Sequence, residues 1–351
     1  MIHLGIIGGG NISATHARAA SEIGGLKIAA VYGTNHEKCT RLTKEYGATA
    51  YADLDNFLKH RPLDLVAIGS PSGLHAEQGI AAARSGLHVL VEKPLDITTE
   101  RADALIAECE RANVKLGVFF QDRVAPELCR LKDLIDTGVL GKPILATAQV
   151  KWFRPPEYYG SSRWRGTWAL DGGGALINQG VHTLDLLLWL LGDITRVSAM
   201  AITALHNIEV EDTLVATLEF ANGALGTLEA STAIYPGYPR RLELCGSAGT
   251  IIVEQNRIIA ANLRNSSESV IKDESHERNP SSTSPVVSNV SGHRRILEDF
   301  LLAIETNSIP RCNGWEGRRS LEVVQAIYES SRRGQPVQIS VVSRRQDQPS
   351  N

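Results

Sequence analysis

The sequence predicts a two-domain α/β protein, with a doubly wound parallel sheet first and an α/β domain on a large, open, mainly antiparallel sheet second. Three observations predict it. Short apolar runs alternate with amphipathic stretches over the first third of the chain. After Phe120 the pattern changes to longer segments of alternating polarity. The 351 residues suffice for two cores, since domains commonly hold ~100–200 residues.

The apolar runs are Leu4–Ile7, Ile28–Tyr32, Leu65–Ile68, His88–Val91 and Leu116–Phe119. They are continuous rather than alternating, as strands covered on both faces should be. Amphipathic helices at Thr15–Ile23, Glu37–Tyr46, Leu74–Ser85 and Thr99–Ala112 supply the crossovers. This domain is drawn at 1–121, the second at 122–345, and a polar tail at 346–351.

In the second domain a helix at Pro126–Asp136 precedes alternating strands. These are Ile144–Phe153, Val197–Thr203, Leu214–Phe220, Ala224–Ala233 and Arg241–Leu244, with a helix at Val181–Leu191 among them. Alternation leaves one sheet face to pack on something else. Ser266–Gly292 is rich in Ser, Asn, Pro and charge and reads as a long loop. Helices at His293–Glu305 and Trp315–Arg332 follow.

The charged fraction is 21% and the formal net charge -3. That balance offers no electrostatic case for nucleic acid or an anionic membrane as partner. The apolar stretch Leu184–Leu191 is far shorter than the ~20 residues of a membrane helix. No basic segment precedes the first strand, so no signal peptide is expected. The five cysteines are scattered, with no C-x-x-C pair. They read as reduced thiols of a cytoplasmic protein.

Gly8-Gly9-Gly10-Asn11-Ile12-Ser13 lies between the first strand and the first helix. It is G-x-G-x-x-S rather than G-x-G-x-x-G/A, with Ser13 a small substitute. Gly8 permits the tight turn. Gly10, Asn11 and Ile12 offer backbone and a helix N-terminus to a pyrophosphate. An acid is then expected at the end of the second strand to hold a ribose hydroxyl. Gly33 stands there, followed by Thr34, Asn35 and Lys38. Absence of the carboxylate tilts the site toward NADP, though no arginine fixes the choice and NAD(P) stays open.

Val91-Glu92-Lys93-Pro94 ends the fourth apolar run, where open α/β sheets bind ligands. A desolvated lysine there can move protons; a surface lysine in a turn fits the tetrapeptide equally. The second constellation is Asp171-Gly172-Gly173-Gly174 through Asn178, His182 and Asp185. The glycines let backbone pass close to a ligand. Asn178 and His182 share a face if both are helical. Asp185 orients the imidazole or pairs nearby. Read alone, a histidine near the polar end of an apolar helix is more often structural.

These motifs together resemble the Gfo/Idh/MocA family (glucose–fructose oxidoreductase, inositol dehydrogenase, rhizopine catabolism). The resemblance runs from Ile2 to Ser340. It rests on Gly8–Asn11, Pro71–His75, Glu92–Pro94, Gly172–Asp185, Val210–Thr213 and Leu242–Gly249. It implies a Rossmann domain, a second domain whose open sheet makes homodimers or homotetramers, and hydride exchange with a small sugar-like polyol. It implies Lys93 and His182 as the catalytic pair, and Ser70, Pro71, His75 and Glu92 along the cofactor. Many relatives carry aspartate where Asn178 stands, so proton transfer shifts to Lys93 and His182. Arg163-Trp164-Arg165 resembles a subset acting on pyranose rings, since Trp faces stack on sugars and Arg pairs hydroxyls or carboxylates. Lys151, Arg154, Tyr158 and Tyr159 are further candidates for that pocket, and Arg123 is a candidate for orienting hydroxyls. No metal site is expected. A nicotinamide-binding regulator without turnover, and a reductase of a non-sugar carbonyl, are the competing readings.

Overall fold

In the computed structural model of the chain, residues 1–264 and 289–340 are described. The first sheet is built from β1 (Ile2–Ile7), α1 (Asn11–Ser21), β2 (Leu26–Tyr32), α2 (His36–Tyr46), β3 (Thr49–Tyr51), α3 (Leu54–Leu58), β4 (Leu65–Ile68), α4 (His75–Arg84), β5 (His88–Val91), α5 (Thr99–Arg111) and β6 (Leu116–Val118). Its strand order is β3-β2-β1-β4-β5-β6, all parallel. This is the doubly wound Rossmann order, with the switch point between β1 and β4. Leu4, Ile6, Ile7 and all four residues of β4 are fully buried, which accounts for their unalternating sequence. The edge strand β3 and helix α3 escape sequence reading because segments this short carry no period.

The second sheet follows α6 (Pro126–Asp136): β7 (Pro143–Lys151), α7 (Pro156–Gly160), a π-helical turn (Ala175–Gly180), α8 (Val181–Leu191), β8 (Ile194–Ile202), β9 (Thr213–Phe220), β10 (Leu225–Ser231), β11 (Arg241–Gly246), β12 (Gly249–Glu254), β13 (Arg257–Leu263), α9 (Ser291–Glu305), α10 (Gly314–Arg333) and β14 (Val337–Gln338). The order is β13-β12-β11-β7-β10-β9-β8-β14. Every neighbouring pair is antiparallel except β7–β10. One face carries Leu214, Ala216, Leu218, Leu228 and Ala230 into the core, under α8 and α10. The other leaves Met200, Ile202, Val215 and Leu225 exposed. The last two helices also return to the first domain: α9 packs on α1, and α10 on α5 and β6.

Of the loop expected at Ser266–Gly292, the part up to residue 288 lies outside the described residues, as do residues 341–351. Ser291 and Gly292 are the first residues of α9. The five cysteines are free. No helix among the described residues is long and apolar enough to cross a membrane.

Candidate active site

β1 hands over to α1 through three glycines. Gly8 holds φ at +122°, and a Cβ there would stand 2.8 Å from the Gly69 carbonyl oxygen. Gly10 faces open space, with no atom within 4 Å of where its Cβ would be. α1 has no side-chain cap and no acid in its first turn; α2, α3, α5 and α10 have both. The first N–H groups, from Asn11 and Ile12, and the helix dipole therefore meet an open, uncompensated surface. That surface suits the diphosphate of a dinucleotide.

The missing ribose acid has a packing cause. A Cβ on Gly33 would lie 2.7 Å from Cys39 Sγ, so an acidic side chain there would have to displace the thiol. Its absence alone therefore does not argue for a 2′-phosphate. Asn35 is occupied as the cap of α2, accepting from the Lys38 N–H at 3.0 Å. Thr34 and Lys38 are exposed beside it.

Two residues expected along the cofactor are instead buried struts. His75 places its ring nitrogens 2.8 Å from the Pro94 carbonyl oxygen and 3.0 Å from that of Ser70, bracing the Ser70–Pro71 loop against the turn after β5. Glu92 Oε1 lies 2.9 Å from Nε2 of His16 on α1 and 3.4 Å from Nε2 of His293 on α9. Burial opposes its charge, yet the two imidazoles hold the carboxyl well below the usual range. The three side chains form a group compact enough for a metal ion. The shared carboxylate oxygen already serves both rings, which makes the group a clamp joining the glycine-turn helix to the strand that carries Lys93.

Lys93 crosses to the second domain: its Nζ donates to the Asn178 carbonyl at 2.9 Å. Burial pushes the pKa of this ammonium down, against the pull of Glu92, Asp171 and Asp122. The glycine run that precedes Asn178 packs on the chain itself, not on open ligand space. A Cβ on Gly173 would overlap the Tyr328 hydroxyl, and one on Gly174 the Glu211 carbonyl. The Glu211 carboxylate anchors this turn, accepting from Gly174 N, Leu176 N and Tyr328 Oη at 2.9 Å each.

α8 starts at Val181 as expected, so Asn178 lies before it, in the π-helical turn Ala175–Gly180, and not on the helix that carries His182. The wider turn breaks the expected i, i+4 alignment. Asn178 gives its side-chain amide to Asp171. His182 stands edge-on to Phe120, ring centroids 6.3 Å apart, with Nδ1 3.8 Å from Asp122 Oδ2. Burial, then the Lys93 charge, pushes its pKa down to about 3, so the imidazole is neutral near pH 7.

Arg123 does not reach a substrate position. Its guanidinium is held by Asp185 at 2.7 and 2.6 Å and by Glu316 at 2.9 Å. This also removes Asp185 as the partner of His182. In the Trp/Arg segment, Arg165 lies 4.5 Å over the Tyr158 ring and 5.3 Å over Trp164, while Arg163 is exposed. Tyr159 bonds Thr232 Oγ1 at 2.8 Å. Tyr159 and Arg165, with His206 and Glu209, line an open cavity of ≈ 520 Å³ that Lys93, Asn178 and His182 do not line. Lys151 is paired with Glu229 on the sheet at 2.7 Å. Buried Arg154 lies over Trp152 and Tyr158 and adds its charge near Lys93.

Two acids of the cluster had no role in the sequence reading, Asp171 being named only as the start of the glycine constellation. Asp171 accepts from Gly166 N at 2.8 Å and from Asn178, and burial pushes its carboxyl up to about 7. An acid abutting a glycine run was a signal for it. Asp122 meets His182 only through the tertiary fold.

Residues 2–120 match the oxidoreductase family, NAD-binding Rossmann fold, and residues 129–252 the GFO/IDH/MocA C-terminal domain. Among solved structures, the WlbA dehydrogenase from Bordetella pertussis, in complex with NADH and UDP-GlcNAcA, is 31% identical, with a TM-score of 0.87 over 97% of this chain and 99% of that one. The rhizopine catabolism protein MocA of Rhizobium meliloti is 30% identical over 250 residues, 70% of this chain and 76% of the relative. The myo-inositol 2-dehydrogenase of Thermotoga maritima is 25% identical over 97% of this chain and 99% of its own.

Proposed function

The chain belongs to the GFO/IDH/MocA oxidoreductases, and from that premise we propose that it oxidises a carbinol, or reduces the matching ketone, of a sugar, sugar derivative or cyclitol with NAD(P). The observation that carries this is the contact of Lys93 Nζ with the Asn178 carbonyl. It joins a strand-end amine to the Asn178 turn, with the His182 imidazole near enough to feel the lysine's charge.

Bound nicotinamide supplies the hydride acceptor or donor. The chain's own residues handle the proton and the geometry. Lys93 and His182 flank the reacting hydroxyl; one takes its proton on oxidation and returns it on reduction. Burial lowers the pKa of Lys93, which favours proton exchange at its amine, and His182 is neutral near pH 7. Asn178 cannot accept a proton, so it orients a hydroxyl and fixes Lys93. Glu92 and His75 hold the turns that aim Lys93.

Substrate choice rests on the relatives and on composition. The Thermotoga relative is named for myo-inositol, and the Bordetella structure holds a nucleotide sugar acid. Trp164, Arg163, Arg165 and Tyr159 suit a pyranoside carrying acidic or hydroxyl groups. Thr34 and Lys38, both exposed after β2, would be the side chains to meet the 2′ group of either dinucleotide, with NADP the form to test first. The exposed face of the second sheet suits a homodimer or homotetramer contact. Free cysteines fit a cytoplasmic setting.

The test is a panel of pyranosides, cyclitols and sugar acids with NAD and NADP, read by nicotinamide absorbance. Lys93→Met and His182→Asn should each lower kcat by roughly 10²–10⁴-fold. Wild-type rates in both variants would remove the assignment. Dinucleotide binding without turnover on any substrate would favour the regulator.

A further inference from the structure

We propose that Asp122 is the positioning residue that holds the tautomer of His182, leaving Nε2 as the proton acceptor at the reacting hydroxyl. This rests on the catalytic reading above and adds which nitrogen acts and why.

The His182 Nδ1 atom is buried and has no hydrogen-bond partner among the described residues. The carboxylate that faces it is Asp122, with Oδ2 at 3.8 Å. Asp185, the acid nearest in sequence, is turned away and held by Arg123 and Ser320. Asp171 is occupied by Gly166 and Asn178.

Asp122 is built to stay charged. Arg240 Nη1 donates to Oδ2, and Asn256 Nδ2 donates to Oδ1 at 3.2 Å. These partners, Arg240 first, hold its carboxyl down at about 2 against the effect of burial. An ionised carboxylate only accepts hydrogen bonds. The imidazole nitrogen that faces it must therefore carry the proton, and Nε2 presents a lone pair. Closing a gap of about 1 Å when substrate and cofactor fill the cleft would turn the contact into a hydrogen bond.

The charges around the ring come from every side. Lys93 and Glu92 approach from the end of β5, Asp122 from the turn after β6, and Arg240 from the segment before β11. Burial, Lys93 and Arg240 weaken the imidazole as a base; Asp122 and Glu92 strengthen it. Asp122 thus sets the basicity of the ring as well as its tautomer.

The experiment is Asp122→Asn, with D122N/R240Q as a second variant that leaves no unpaired buried charge. Three readouts are taken: kcat and KM, the pH profile of kcat, and the His182 tautomer by 15N NMR, assigned against H182N. The expected result is a loss of roughly 10²–10⁴-fold in kcat, with KM changed less than threefold. The acid limb of the profile should move, and the Nε2-protonated tautomer should appear, because an Asn amide can donate to Nδ1. Asp122→Glu should restore part of the rate and the original tautomer. Wild-type kcat in a folded D122N protein, or lost kcat with an unchanged tautomer, would overturn the proposal. Should H182N itself turn over normally, the catalytic reading fails first, and the NMR tautomer still judges the pairing.

Discussion

The two outer glycines of the first turn separate folding from cofactor binding. Gly10→Ala adds a methyl where no atom lies within 4 Å. Backbone there is extended, with φ -84° and ψ -173°, which alanine adopts freely. At this N-cap position the exchange should cost at most about 1 kcal/mol. For a chain of this size that is a shift of roughly 2 °C in Tm. The methyl fills the space above the first N–H groups of α1, where the diphosphate would sit. Losing one charge-assisted hydrogen bond there costs about 1.5–3 kcal/mol, or roughly 10- to 100-fold in Kd. Gly8→Ala behaves differently, because its Cβ meets the Gly69 carbonyl at 2.8 Å with φ at +122°. Left-handed strain of ~1–3 kcal/mol adds to that clash, so Tm should fall along with affinity. Fluorescence titration with NADH and NADPH, run beside thermal unfolding, reads both quantities. A Gly10→Ala protein that binds dinucleotide as the wild type does would show that the cofactor does not lie on this turn.

Arg123→Met should unfold the chain more readily by about 3–5 kcal/mol, since it strands buried Asp185. Urea denaturation measures this, and a changed sugar KM with unchanged stability would contradict the structural role given to Arg123. Asp171, 2% exposed, has its carboxyl raised to about 7. The folded state then holds a proton that the unfolded chain sheds near pH ~4, so stability falls as pH rises between those values, by at most about 4 kcal/mol. Asp171→Asn should lack that slope, and parallel denaturation curves for both proteins at pH 5 and pH 8 would refute it. On the outer sheet face, Met200→Glu combined with Val215→Glu should leave the circular dichroism unchanged and reduce the light-scattering mass to that of one chain. An unchanged oligomer mass would place the contact elsewhere.

Periodicity carried the regular elements well. Continuous apolar runs mark strands covered twice and helical patterns mark α6 and α8, so β4, β5, α6 and α8 have the ends read from the sequence pattern. β12 and the edge strand β13 were missed because their many half-buried residues blur the alternation. The site was legible where chemistry clusters along the chain. Lys93, Asn178 and the glycine turn to α1 announce themselves by residue type and by place at strand ends or helix starts. His182 gains its meaning only from what surrounds it.

The sequence by itself determined the two sheets and the glycine turn into α1, because each depends on residues near one another along the chain. Tertiary structure decided what those residues touch. It assigned Arg123 to Asp185 across 62 positions, Glu92 to His16 and His293 across 76 and 201, and Asp122 to the imidazole across 60. It also showed that Gly33 makes room for a sulfur atom. Local pattern sets backbone conformation through short-range sterics and hydrogen bonds. Pairing of buried charges depends on which distant segments the packed core brings together, and no spacing along the chain encodes that.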